Sequence, residues 1–336
     1  AEWCQTLPAL AKKIVPTVPL SCTIQAVLEP NKIRVISKGN ALNYYSCKGM
    51  QLLMHSLLKR IPCFRLIGRP LAADDIYDIA AHVPNPRPDL LDFEWQSVDY
   101  SAATDGLSWK YSSRILRVLL SELPYEDQLK YFNVLGPHQL YYPKKGEPEL
   151  RGIQKNGQLM GSILSFIILC LANLGVFLHS ADQAGFQPEN ILNNVLINGD
   201  DMIYAYPRTV FLANKRIGSL VGLEMSIGKA YNHREYLNIN SQSVLFPLHK
   251  ERENRKLKWV NYLNTGLFFG RHKVQGRKDD SRKQDTAESH HNKMKEGITP
   301  NLNCLLRGAL PGKEHSLLKK SLETHHETIE KECMAL

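Results

Sequence analysis

The spacing of apolar and polar positions changes several times along this chain, and each change marks an element. Val195-Leu196-Ile197 and Met202-Ile203-Tyr204-Ala205 are short β-prone runs separated by Asn198-Gly199-Asp200-Asp201. That arrangement predicts a hairpin, with Asn-Gly supplying the positive φ angles of a tight turn. Ser97-Val98 ends another extended segment, which follows the proline-rich stretch Pro84 to Pro88. Leu107, Ile115, Leu116, Leu119 and Leu120 then recur among polar residues at helical spacing. The apolar run Ile163 to Leu178 is shorter than the about twenty residues of a membrane span and carries Ser165 and Asn173. It predicts a buried helix and no transmembrane segment. Tyr44 to Leu58, Leu305 to Leu317 and His315 to Met334 also read as helices. Arg271 to Gly297 is rich in both charges and poor in apolar residues, which predicts a flexible segment. No internal repeat is visible.

Composition narrows the class without naming a reaction. At 336 residues and 43% hydrophobic content the chain buries a sizeable core. Lys and Arg total 42 against 33 Asp and Glu, and the net charge of +9 suits a polyanionic partner. The cysteines (Cys4, Cys22, Cys47, Cys63, Cys170, Cys304 and Cys333) form no C-x-x-C pair, which fits reduced thiols in a cytosolic compartment. The histidines are scattered, and no Ser-His-Asp or Cys-His nucleophile arrangement emerges. The chain opens on Ala1 with no initiator methionine and no secretory leader pattern.

The chemistry concentrates in carboxylates. Asp200 and Asp201 repel each other at a hairpin tip, and a hard divalent cation resolves that repulsion through carboxylate oxygens. A solvated turn uses the same residues, so the pair alone leaves both readings open. Upstream, Asp99 sits where a strand gives way to a turn and helix. It reads either as a helix N-cap or as a third acid of a two-cation cage for phosphoryl displacement. Gly157 to Gly161 form a glycine-containing loop running into the apolar helix, where backbone can approach a ligand closely.

Taken in order, these segments carry a resemblance. Asp99-x4-Thr104-Asp105, then Met160-Gly161-Ser162-x2-Ser165-Phe166-x2-Leu169-Cys170-x2-Asn173, then Gly199-Asp200-Asp201 resemble motifs A, B and C of viral RNA-directed RNA polymerases. The wording is closest to the ourmia-like and narna-like viruses, the botourmiavirus group. Glu29 to Gly39 resembles motif F, in which Lys32, Arg34 and Lys38 alternate onto one side of an extended strand and suit a triphosphate. Val221 to Ala230 resembles motif D, and Asn240 to Phe246 falls where the motif E hairpin belongs.

The resemblance implies an α+β, right-hand polymerase fold: a palm with an antiparallel sheet and helices on one face, partial fingers and a helical thumb. Residues 1–92 are then partial fingers of a fragment that lacks the family's N-terminal part, 93–126 and 150–246 palm, 127–149 a fingers insertion and 247–336 thumb, with the charged segment 271–297 inside it. It implies RNA-directed RNA polymerisation with Mg²⁺ (Mn²⁺ as the alternative) at Asp99, Asp200, Asp201 and the Tyr100 carbonyl. Lys229 is the implied general acid for the departing pyrophosphate. Lys32, Arg34, Lys38, Asp105, Ser165 and Asn173 are implied to bind the nucleotide, the last three through its 2′-hydroxyl, with Gly161 and Ser162 in the template-facing loop. Asn173 lies a helical turn beyond the asparagine position of many positive-strand polymerases, and a buried packing amide is its alternative role. The implied partners are RNA template and product and ribonucleoside triphosphates. The implied location is the host cytoplasm, with the mitochondrion as alternative. A reverse transcriptase and a non-catalytic RNA-binding palm are the competing functions; the carboxylate at Asp105, where reverse transcriptases place a bulky gate, favours ribonucleotides.

Overall fold

The computed structural model describes residues 19–29, 32–144, 147–187, 189–260, 274–275, 305–306 and 312–334. These fall into two compact units. One comprises residues up to 24 together with 37–259, the other residues 25–36 together with those from 260 on.

The strands used below are β1 (Leu20–Glu29), β2 (Lys32–Gly39), β3 (Phe93–Val98), β4 (His138–Tyr142), β5 (Glu149–Ile153), β6 (Val195–Asn198), β7 (Asp201–Pro207), β8 (Tyr231–His233), β9 (Tyr236–Ile239) and β10 (Gln242–Leu245). The first unit is organised on an antiparallel sheet of order β6-β7-β3-β8. Strand residues alternate between faces, and here both faces are covered. Val98, Val195, Ile197, Met202, Tyr204 and Tyr206 join the core shared with the helices Ser165–Gln183 and Arg208–Val221. Trp95, Leu196, Ile203 and Ala205 join a second core with Ile76 and Ile79 of the Ala73–Ala80 helix and with Leu237, Val244 and Phe246 of β9–β10. Burying one such large apolar side chain contributes roughly 1.5–3 kcal/mol. The sequence reading puts helices on one face only; the apolar residues at both parities of β7 require the second layer.

Local expectations are met with shifts at their edges. The helical spacing after Leu107 becomes the helix Trp109–Leu119, with Leu107 and Leu116 fully buried. Tyr44 to Leu58 becomes two helices, Ala41–Ser46 and Lys48–Leu58, the first capped by Asn40 Oδ1 accepting from Leu42 N and Asn43 N. Ser165–Gln183 is long and apolar enough to cross a membrane by composition, yet most of its apolar window is buried within the protein. The segment from Tyr125 contributes the helix Tyr125–Leu135 and strands β4 and β5, with β4 pairing parallel to Leu20–Thr23.

In the second unit, Val27 and Leu28 pair antiparallel with Val274 and Gln275. The Glu314–Met334 helix carries a non-helical residue at His325. Most of the charged segment 271–297, and residues 307–311 within Leu305 to Leu317, lie outside the described residues.

Candidate active site

Asp99 follows β3 by one residue. Because β3 and β7 run antiparallel with Val98 opposite Met202, the next step along each strand carries Asp99 towards Asp201, the first residue of β7. The β6–β7 hairpin pairs Asn198 with Asp201, so its two-residue loop is Gly199-Asp200. Gly199 has φ +71° and Asn198 does not have a positive φ. The Asn-Gly turn expected from the sequence is therefore displaced by one residue, with glycine at the first central position, the arrangement of a type II′ turn.

The acids interact. Burial first, then the charges of Asp200 and Asp99, push the Asp201 carboxyl up to about 6, against the pull of the Asn240 N–H and Lys229. All three aspartates are half-buried. The motif D segment is laced to Asp99 by backbone: Ser226 N donates to Asp99 O at 2.8 Å and Ser101 N donates to Glu224 O at 2.8 Å. That lacing brings Lys229 Nζ to 3.5 Å from Asp99 Oδ2. Close backbone contact between motifs A and D needs glycine on both sides, since a Cβ on Gly106 would lie 2.3 Å from the Gly222 carbonyl oxygen.

The motif B loop is held from two directions. Gln158 N donates to Thr104 O at 2.6 Å, and a Cβ on Gly157 would meet the Asp105 carbonyl at 2.4 Å. The loop thus lies against the turn bearing Asp105, which is exposed on the short helix Ala103–Gly106. At Gly161 (φ +130°) a Cβ would lie 2.0 Å from Ser37 O, and Ser37 N and Oγ both donate to Met160 O, at 2.7 and 3.0 Å. Lys38, next along β2, is exposed. Ser162 Oγ donates to Val134 O at 3.0 Å, which makes it an anchor of the loop. Ser165 opens the long helix, and its buried Oγ has no hydrogen-bond partner among the described residues. Lys32 and Arg34 belong to the second unit, on β2.

Asn173 stands where its alternative reading, a buried packing amide, puts it. It is fully buried, its Oδ1 accepts from Tyr100 Oη at 3.0 Å, and its Nδ2 donates to Gly199 O at 3.1 Å and Asp200 O at 3.5 Å. Both ends of its amide are spent on protein, because the further helical turn carries it beneath the hairpin loop. Sequence reasoning missed two partners in this region. Cys170 Sγ accepts from Gly199 N at 3.3 Å, and Asn214 sits beside Tyr100 Oη. A signal for Asn214 did exist: it is an amide between Val210 and Ile217 on the buried face of its helix.

Among the described residues no group of three or more His, Cys, Asp or Glu side chains is arranged so that these alone could hold a metal ion. The carboxylate oxygens at Asp99, Asp200 and Asp201 suit a hard cation that takes its remaining ligands from water and substrate phosphates, the habit of Mg²⁺.

No family model matches the chain. It is 29% identical over 265 residues to the RNA-dependent RNA polymerase of Ourmia melon virus (isolate Melon/Iran/VE9), an alignment covering 75% of this chain and 30% of that protein. The crystal structure of the RNA-dependent RNA polymerase of a human picorbirnavirus matches with a TM-score of 0.61 and 13% identity, over 90% of this chain and 55% of the other.

The fold is that of a viral RNA-dependent RNA polymerase.

An insertion-loop deletion mutant of the picorbirnavirus enzyme matches the same polymerase fold with a TM-score of 0.52 and 14% identity, over 94% of this chain and 62% of that one. The chain spans 30% of the length of the Ourmia melon virus polymerase. The three acids stand where the end of β3 meets the β6–β7 hairpin, at one end of the sheet's two central strands.

Proposed function

We propose that this chain carries the catalytic palm of an RNA-directed RNA polymerase that adds ribonucleotides to a primer 3′-hydroxyl by two-metal nucleotidyl transfer. The observation that carries the reading is the β3–β7 register, which gathers Asp99 and Asp200-Asp201 from distant parts of the sequence. Divalent cations bound there neutralise charge on the attacking and leaving oxygens. The chain's own residues do the rest. Asp99, Asp200 and Asp201, with the Tyr100 carbonyl, hold and space the cations, and Lys229 stands ready to donate a proton towards the leaving pyrophosphate. Asp105 and the Ser165 hydroxyl, which has no partner among the described residues, are polar groups placed to distinguish a ribose 2′-hydroxyl, since a site built to bond that group rejects sugars lacking it. Lys38, exposed on β2, supplies a cation for the triphosphate and RNA backbone.

The test is single-nucleotide extension of an RNA primer–template by the purified chain with Mg²⁺. Asp200→Ala abolishes extension while the thermal midpoint stays near that of the parent. Retained extension in that variant refutes the site. Preferential incorporation of deoxyribonucleotides transfers the assignment to a reverse transcriptase, and metal-dependent RNA binding without extension transfers it to a non-catalytic palm.

A further inference from the structure

Beneath the acidic turn lies a polar island in an otherwise apolar core. Tyr100, Asn173 and Asn214 are all buried, the two amides completely. Buried polar groups are costly unless each donor and acceptor is used, so where their hydrogen atoms go is a constraint. Tyr100 Oη has one proton, yet it lies 3.0 Å from Asn173 Oδ1 and 3.2 Å from Asn214 Oδ1, while Asn214 Nδ2 is buried with no partner among the described residues. Exchanging the O and N of the Asn214 amide, which are isosteric, removes the first fault and leaves the amide's carbonyl oxygen, rather than its amino group, in the position without a partner. Asn214 Nδ2 then donates to Tyr100 Oη, Tyr100 Oη donates to Asn173 Oδ1, and Asn173 Nδ2 donates to the carbonyls of Gly199 and Asp200.

We infer that Asn214, Tyr100 and Asn173 form a one-way hydrogen-bond relay that fixes the Gly199-Asp200 loop relative to the end of β3, and so sets the spacing of Asp99 and Asp200 for cations. The relay begins on the Arg208–Val221 helix, passes through the residue next to Asp99 and the Ser165–Gln183 helix, and ends on the loop's own backbone. Cys170 Sγ holds the other side of the loop by accepting from Gly199 N. Asn173 and Tyr100's phenol are positioning residues. They touch no substrate, but the acids that hold the cations hang from the groups they tie. The inference rests on the polymerase reading only for what the cations are used for.

Its test is Mn²⁺ titration of the full chain, followed by loss of the free-ion electron paramagnetic resonance signal. Tyr100→Phe and Asn214→Leu are the mild variants, because each removes a polar contact with little change of volume. Each is expected to weaken Mn²⁺ binding on the order of tenfold, the usual cost of losing a group that orients metal ligands, in chains that retain the parent near-ultraviolet circular dichroism. Asn173→Leu is expected to weaken it at least as much, and the Tyr100→Phe/Asn173→Leu double variant no further than Asn173→Leu alone. Additive losses, or Mn²⁺ affinity within twofold of the parent in the folded mild variants, overturn the relay. Extension by the parent chain is read separately. Parent protein that binds Mn²⁺ but extends no primer overturns the polymerase reading and leaves the relay standing. Parent protein that binds no Mn²⁺ overturns both.

Discussion

Lys229 Nζ lies 3.5 Å from Asp99 Oδ2, joining the segment after the Arg208–Val221 helix to the acid at the end of β3. The lysine side chain is 67% exposed, and ion pairs in such a setting contribute only about 0–1 kcal/mol to stability. Its placement therefore matters for chemistry more than for folding. Lys229→Met is expected to slow nucleotide incorporation by about 100-fold, the lower end of what a positioned proton donor supplies. Rapid-quench extension with saturating nucleotide reads this effect, and the thermal midpoint should stay near the parent value. An unchanged rate removes Lys229 from the mechanism.

The Gly106–Gly222 contact fixes how closely motifs A and D approach. Gly222 adopts φ +89°, and a Cβ there would lie 2.1 Å from the Gly106 carbonyl oxygen. Gly228 has a similar φ of +80° with open space around it. Gly228→Ala should thus cost only the left-handed penalty of about 1–2 kcal/mol, whereas Gly222→Ala should cost more because backbone must also move. Urea unfolding of the two variants compares them directly, and equal losses contradict the contact.

Asp75 anchors the layer behind the sheet. Its carboxylate accepts from Arg65 Nε at 2.8 Å, from Arg69 Nη2 at 2.6 Å and from Ala72 N at 2.8 Å. Burial by itself raises its pKa, but Arg69, the Ala72 N–H and Arg65 outweigh that and hold it at about 2, below the ordinary 3.8. A depressed carboxyl stabilises the fold above its unfolded pKa and loses that contribution as pH falls through its folded pKa. The loss therefore runs from about pH 4 down to about pH 2. Asp75→Asn should cost about 3 kcal/mol at pH 7 by leaving two guanidinium groups without their buried partner. The gap between parent and variant should close over that acid range. Thermal melts across pH measure it, and a gap independent of pH contradicts the assignment.

What the residues settled by themselves was local. Short continuous apolar runs made β6 and β7, helical spacing made Trp109–Leu119 and Ser165–Gln183, and the acids and glycines marked the candidate site, because periodicity and φ preference act between neighbours in sequence. The three-dimensional fold alone decided that β7 is buried on both faces, that the tight loop is Gly199-Asp200, that Asn173 turns inward to hold that loop, and that Asn214 and Cys170 take part. A buried amide bonds whatever the packing of distant segments brings within about 3 Å, and no spacing along the chain encodes that neighbour.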